Sequence, residues 1–99
     1  MKFGFIGTGN MGSAIIEGMI KKYRPFDIIV TDKNIDCAKA VSTKYGTMLA
    51  KNNTEIAGCE YLFLCVKPNV VFEVIDEIKE SVCEKTTVVS IVAGKSIKA

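Results

Sequence analysis

The chain has 99 residues, a formal net charge of +2 and 48% hydrophobic residues, which is enough apolar material for one small domain with a core. The balanced charge gives no electrostatic argument for nucleic acid or an anionic membrane as a partner, and no apolar stretch approaches the ~20 residues that span a bilayer. The absence of histidine excludes Ser–His and Cys–His nucleophile pairs, and the four cysteines form no C-x-x-C pair that would support a zinc or redox motif.

The first part of the chain predicts a strand, a tight turn and a helix in immediate succession. An apolar strand is expected over 2–6, and it runs directly into residues 7–12, which read GTGNMG. In this context a G-x-G-x-x-G motif assigns a separate task to each glycine. Gly7 permits the sharp turn, Gly9 lets a pyrophosphate approach the backbone, and Gly12 lets the helix pack against the strand. The flanking pattern favours dinucleotide binding, with N–H groups of the helix start facing the phosphates, over an ordinary glycine-rich turn.

The chain then alternates between predicted helices and strands. The first helix is expected over 10–22, with an apolar face of Ile15, Ile16, Met19 and Ile20. Further strands are predicted over 27–31, 47–50, 61–66 and 86–92, and further helical segments over 34–45, 53–57 and 69–82. The run over 61–66 is apolar throughout, which is typical of a strand covered on both faces.

Local signals mark several helix ends. Gly46 is expected to end the second helix and Pro68 to begin the last one, while Asn53 and Thr54 are candidate caps of the short helical turn. Five strands with intervening helices predict an α/β domain over 1–99. Its expected architecture is a doubly wound, Rossmann-like parallel sheet with strand order 3-2-1-4-5.

Asp32 follows the second predicted strand, at the position where an acid usually binds the adenosine ribose in dinucleotide-binding domains. An acid there disfavours a 2′-phosphate, whereas the neighbouring Lys33 favours one. The alternative interpretation is a solvated turn in which Asp32 or Asn34 caps the next helix. The two interpretations do not exclude each other.

Two further groups lie at predicted strand ends. Residues 65–69, which read CVKPN, follow the fourth strand, where Lys67 can reach a ligand in the crevice at the switch in strand order. Residues 90–94, which read SIVAG, end the fifth strand with small side chains that permit close approach. The alternative interpretations without a function are that Lys67 simply faces solvent and that Gly94 merely ends the strand. The remaining acids, among them Glu73 and Glu77, are expected on solvated helix faces.

Taken together, three segments of the sequence resemble pyrroline-5-carboxylate reductases: 4–12 (GFIGTGNMG), 62–68 (LFLCVKP) and 88–94 (VVSIVAG). Their spacing matches that family over nearly the whole chain. The resemblance implies NAD(P)H-dependent reduction of the cyclic imine Δ1-pyrroline-5-carboxylate to L-proline, with the cofactor, NADP or NAD, carrying the redox chemistry.

The resemblance also implies roles for individual residues. The pyrophosphate would lie on the glycine-rich segment, the adenosine near the ends of the second and third strands, and the nicotinamide near the ends of the fourth and fifth. The cofactor-binding residues expected on this basis are Ile6, Gly7, Thr8, Gly9, Asn10, Met11, Gly12, Asp32, Lys33, Asn34, Asn52, Cys65, Val66, Lys67, Pro68, Ala93 and Gly94. Many members carry a neutral or basic residue in place of Asp32, so the choice between NADPH and NADH stays open.

Members of that family continue into a helical C-terminal domain that forms the dimer and contacts the imine. We therefore expect the catalytic residues beyond Ala99 and a homo-oligomeric full-length protein, whereas this chain alone should bind the cofactor weakly and show no turnover. The expected location is the cytoplasm, with a small-molecule imine as substrate and without nucleic acid, membrane or metal. The alternatives are another imine or β-hydroxyacid-type NAD(P)-dependent reductase, and a non-catalytic nucleotide-binding module or a domain that merely retains the fold.

Overall fold

The strands and helices were located in a computed structural model, which describes residues 2–82, 84–92 and 95–98. The strands are β1 (Phe3–Ile6), β2 (Ile28–Thr31), β3 (Met48–Leu49), β4 (Tyr61–Leu64), β5 (Thr87–Val92) and β6 (Lys95–Lys98). The helices are α1 (Asn10–Met19), α2 (Ile35–Tyr45), α3 (Asn53–Ile56) and α4 (Pro68–Ile78), and a short 3-10 helix (Pro25–Asp27) precedes β2. Within the described residues, no helix is long and apolar enough to cross a membrane.

The sheet has the order β3-β2-β1-β4-β5-β6, and the first five of these strands are parallel to one another. The predicted order 3-2-1-4-5 is therefore confirmed. The sixth strand was not predicted. It pairs antiparallel to β5 at the sheet edge, where Val92 lies opposite Lys95. Its four residues, KSIK, contain one strongly apolar side chain, so no alternating pattern marked them as a strand.

Helices cover both faces of the sheet and enclose two clusters of buried side chains. Phe5, Ile16 and Val30 belong to the cluster on one face, where α1 and α2 pack. Leu62, Leu64 and Val74 belong to the cluster on the other face, where α3 and α4 pack. This arrangement confirms the doubly wound architecture.

Several elements are shorter than predicted from the sequence. The β4 strand ends at Leu64 instead of continuing to Val66, since its partner β1 ends at Ile6, which is paired with Leu64. One face of β4 is also less covered than expected: Tyr61 is 42% exposed. Helix α1 ends at Met19 instead of continuing to Lys22, and turns follow it, in which the N–H groups of Lys22 and Tyr23 both donate to the Met19 carbonyl oxygen.

Helix α2 ends as predicted. Gly46 adopts the left-handed conformation, with φ of 77°, and its N–H donates to the carbonyl oxygen of Ser42. The predicted caps of α3 are wrong by one residue, because the cap is Asn52: its side-chain oxygen accepts from the Glu55 N–H at 3.0 Å and from the Thr54 hydroxyl at 2.7 Å. Pro68 occupies the first turn of α4, as predicted.

Candidate functional site: a dinucleotide cleft at the carboxyl ends of the strands

The glycine-rich loop connects β1 to α1 and packs against the end of β4. Gly7 has a φ of +99°, and a Cβ atom there would collide with the backbone carbonyl of Cys65. A Cβ atom on Gly12 would lie 2.6 Å from the carbonyl oxygen of Gly7. Glycine is thus required at both positions by the fold itself, in agreement with the tasks predicted for them.

Gly9 differs from its two neighbours in the motif, because a Cβ atom there would meet no protein atom within 4 Å among the described residues. Its φ of −65° is accessible to any residue, so neither packing nor backbone conformation requires glycine at this position. Glycine at this position therefore leaves open space on the outer side of the loop, where a ligand can approach the backbone.

The start of α1 lacks the side-chain cap that two other helices have. Asn34 caps α2 by accepting from the Asp36 N–H at 3.1 Å, and Asn52 caps α3. Gly9 precedes α1 and has no side chain to do so, and the described residues supply no side-chain cap hydrogen bond there. The N–H groups in the first turn of α1 are left for another acceptor, and a phosphate is the group that such a helix start attracts.

Asp32 contacts the glycine-rich loop. Its Oδ2 atom accepts from the Thr8 N–H at 2.7 Å and from the Thr8 hydroxyl at 3.0 Å, and its Oδ1 atom accepts from the Asn34 N–H at 2.9 Å. Of the two caps considered for α2, Asn34 is confirmed and Asp32 is wrong, because the Asp32 carboxylate is held in a local turn and against the loop. The ribose role predicted for Asp32 stays a prediction.

A cleft of about 800 Å³ opens at the carboxyl ends of β1, β2 and β4. Nine of the predicted cofactor-binding residues line it: Ile6, Gly7, Gly9, Asp32, Lys33, Asn52, Cys65, Val66 and Lys67. The strand order of the sheet changes direction between β1 and β4, and open α/β sheets bind their ligands at the carboxyl ends of the strands at this point. The structure thereby brings the segments after β1, β2, β3 and β4 to one cavity.

The other predicted residues fall outside that lining set. Thr8 belongs to the loop, but its side chain is buried. Met11 and Gly12 lie in the first turn of α1. Asn34 and Pro68 lie at the starts of α2 and α4. Asn10 is the first residue of α1. Ala93 and Gly94 lie outside the described residues. Ser90, in the same predicted group, is buried within the sheet opposite Leu64.

One wall of the cleft was predicted only at Asn69, which belongs to the group 65–69, and not at the two glutamates that continue it. Asn69, Glu73 and Glu77 line it at a spacing of four residues along α4, which places them on one helical face. The two glutamates are exposed, as predicted, but the solvated face that carries them is also a wall of the cleft. The further residues that were missed are Thr31, Lys51, Asn53, Val70 and Val74.

Lys51 could have been found from the sequence. Lys51 comes directly after the third predicted strand, and Lys33 lies two residues after the second. The carboxyl ends of parallel strands meet at one edge of the sheet, so both lysines are expected there. Its backbone N–H donates to Glu55 Oε2 at 2.9 Å. Among the described residues, neither the Lys33 nor the Lys51 ammonium group has an ion-pair partner.

Cys65 lies in the cleft beside the glycine loop. Its N–H donates to the carbonyl oxygen of Ile6 at 2.8 Å, and burial raises the pKa of its thiol to about 11. The thiol is therefore protonated near neutral pH, and thiolate chemistry is disfavoured there. Cys65 thus serves as a small apolar part of the wall.

The comparisons with known proteins agree with this geometry. A family model described as NADP oxidoreductase coenzyme F420-dependent matches residues 2–94. The chain belongs to this family. Among curated proteins, it is 36% identical to the pyrroline-5-carboxylate reductase of Escherichia coli over 99 residues, covering 97% of this chain and 37% of that protein. It is 31% identical to pyrroline-5-carboxylate reductase 3 of Danio rerio, covering 98% of this chain and 34% of that protein.

A solved structure of a pyrroline-5-carboxylate reductase from Coxiella burnetii superposes with a TM-score of 0.86 at 31% identity. The match covers 94% of this chain and 36% of that chain. This member of the NADP oxidoreductase family thus spans about a third of the length of these three relatives. The predicted resemblance and the Rossmann-like fold are confirmed, and the predicted cofactor, NADP or NAD, agrees with the family's description.

Proposed function

We propose that this chain binds NAD(P)H in the cleft and forms the cofactor-binding portion of an enzyme that reduces Δ1-pyrroline-5-carboxylate to L-proline. The observation that carries the cofactor part is the start of α1, where Gly9 leaves open space and no described side chain supplies a cap. The substrate part is supported by the similarity to pyrroline-5-carboxylate reductases across nearly the whole chain.

The residues of this chain bind and orient the cofactor. The first-turn N–H groups of α1 would hold the pyrophosphate, and the residues after β2 and β3 would hold the adenosine half. Cys65, Val66 and Lys67, at the end of β4, would border the nicotinamide half, where the protonated thiol and the valine give an apolar wall. A nicotinamide cofactor supplies hydride transfer when bound, and the protein contributes its position and surroundings.

Further parts of the proposal concern the protein as a whole. The substrate is a small cyclic imine, and the residues that contact it belong to the part of the relatives that this chain does not match. The same part would form the homo-oligomer. We further propose a cytoplasmic location, with no nucleic acid or membrane as partner, in keeping with a net charge of only +2.

The cofactor part is tested by substituting Gly9 and a matched control glycine. Gly18 also lies at the surface of α1, and a Cβ atom there would likewise meet nothing within 4 Å among the described residues. We expect Gly9→Ala to weaken NADPH binding by about tenfold or more, because its methyl group occupies the approach of the pyrophosphate. Gly18→Ala should bind as the wild type does, and wild-type affinity in Gly9→Ala would contradict the proposal. Affinity is measured by the fluorescence of the reduced nicotinamide.

The substrate part needs a longer protein. A chimera would carry this chain in place of the corresponding first third of the Escherichia coli reductase, and oxidation of NADPH would be followed with and without pyrroline-5-carboxylate. We expect oxidation that depends on the imine and that Gly9→Val abolishes. A folded chimera that binds NADPH but does not turn over the imine would favour another reductase or a non-catalytic nucleotide-binding module.

A further inference from the structure

The carboxylate of Asp32 is largely used by the protein before any cofactor binds. An ionised carboxylate offers about four acceptor positions, and three hydrogen bonds from Thr8 and Asn34 occupy three of them. Thr8 is only 4% exposed, and its two hydrogen bonds to Asp32 are partly buried. Such charge-assisted bonds are stronger than neutral ones, and they direct the negative charge of Asp32 towards the loop.

These contacts set the conformation of the glycine-rich loop. The Thr8 carbonyl oxygen also accepts from the Ser13 hydroxyl at 2.9 Å, so the polar groups of Thr8 join the end of β2 to the first turns of α1. The Gly7 N–H donates to the Thr31 carbonyl oxygen at 2.8 Å and adds a second link to the end of β2. Asp32 therefore determines where the first turn of α1 presents its N–H groups, whichever cofactor binds there.

Positive charge comes from the two lysines after β2 and β3. These strands are adjacent in the sheet, and the Ala50 N–H donates to the Val30 carbonyl oxygen at 2.8 Å, so both strands end at the same edge. Lys33 and Lys51 follow these ends and line the same cleft. The Glu55 carboxylate, which accepts from the Lys51 backbone, partly offsets this charge, so the effect on a bound phosphate is modest.

We propose that Asp32 is a positioning residue for the glycine-rich loop that NADH and NADPH require equally, and that Lys51, together with Lys33, favours the 2′-phosphate of NADPH. This inference rests on the proposed function. It differs from the usual role of an acid at this position, which is to select NADH by binding the ribose hydroxyls.

The test measures the dissociation constants of the chain for NADH and NADPH in a set of variants. We expect Asp32→Ala to weaken both cofactors by about 10- to 100-fold, as the loss of charge-assisted hydrogen bonds implies, and to change their ratio by less than about threefold. Thr8→Val should weaken both, Thr8→Ser should restore binding, and the loss in the Thr8→Val/Asp32→Ala double variant should be smaller than the two single losses combined.

One further readout separates positioning from a general loss of structure. The Thr8 amide proton should move upfield in the NMR spectrum of Asp32→Ala, because its short hydrogen bond to a carboxylate is lost, while distant amides stay in place. If Asp32→Ala does not fold, Asp32→Asn serves instead, since its amide oxygen can still accept one hydrogen bond.

Lys51→Met should weaken the binding of NADPH by about three- to tenfold and leave the binding of NADH unchanged. Lys39→Met, on the exposed surface of α2, should change neither.

The outcomes that overturn the inference differ from those that overturn the proposed function. A ratio that shifts by tenfold or more towards NADPH in the Asp32 variants, without coupling to Thr8, would assign Asp32 to the ribose and reject the positioning role. Equal loss of both cofactors in Lys51→Met, or no loss, would reject the role of that lysine. If the wild-type chain bound neither dinucleotide, the proposed function would fail, and this inference with it.

Discussion

Substituting Gly12 by alanine tests how closely α1 packs against the turn that precedes it. The added Cβ atom would lie 2.6 Å from the Gly7 carbonyl oxygen, inside the 3.0 Å that real Cβ contacts respect, and 3.5 Å from the Cys65 Cβ atom. Since the obstructing atom belongs to the backbone, α1 has to move away from the turn. Overpacking of this kind costs about 1–3 kcal/mol, and the better helix propensity of alanine returns up to about 1 kcal/mol. With the full return from helix propensity, the expected net loss is therefore about 0–2 kcal/mol.

The same substitution at Gly18 is the matched control. It lies in the same helix and has open space around its Cβ position among the described residues, so Gly18→Ala should gain about 0.5–1 kcal/mol from helix propensity. In a domain of this size each kcal/mol shifts the melting temperature by about 4–8 °C, which thermal unfolding by circular dichroism resolves easily. The two sites are six residues apart, so the double variant should show roughly additive changes. A Gly12→Ala variant as stable as Gly18→Ala would refute the reasoning.

Three further predictions concern single side chains. Burial raises the pKa of the Cys65 thiol to about 11, so its alkylation by iodoacetamide should be slow at pH 8 and accelerate up to about pH 11. The exposed Cys37 should react already at pH 8, and mass spectrometry of the two peptides measures both rates. The same measurement with NADPH tests whether the cofactor protects Cys65. Asn34→Ala should lower the stability by about 1 kcal/mol, since it removes the cap of α2, and an unchanged urea midpoint would contradict that role. Gly46→Ala should cost about 1–2 kcal/mol because of its positive φ, while Gly58→Ala, which meets no described atom within 4 Å, should cost much less in the same assay.

The order and type of the elements could be predicted from local patterns. Apolar periodicity marked the helix face around Ile16 and the interior positions of α4, and the β-branched and apolar runs marked the strands. Gly46 and Pro68 fixed two helix ends through backbone geometry that each residue carries within itself. Element ends that depend on a partner were predicted less well, as at the end of β4.

The candidate site divides along the same line. The tasks of Gly7 and Gly12 followed from the motif, because every strand–turn–helix unit of this kind makes the same close approach. The partners of Asp32 did not, since Thr8 lies 24 residues earlier in the chain and meets the carboxylate only once β1 and β2 have paired. A charge in a sequence does not reveal which donors surround it.

The sequence by itself determined the fold class, the strand order, the glycine-rich turn and the resemblance to a reductase family, because periodicity, turn chemistry and motif spacing are properties of short segments. The sequence also indicated that the segments after β1, β2 and β4 share one crevice, but only the tertiary structure completed its walls. It added Lys51 and the α4 face of Glu73 to the walls, added β6 to the sheet, and directed the Asp32 carboxylate towards the loop. The positions of Lys51, Glu73 and Asp32 depend on contacts between residues far apart in the chain, which the pairing of parallel strands brings to one edge of the sheet. The β6 strand depends on antiparallel pairing with β5, its neighbour in the chain.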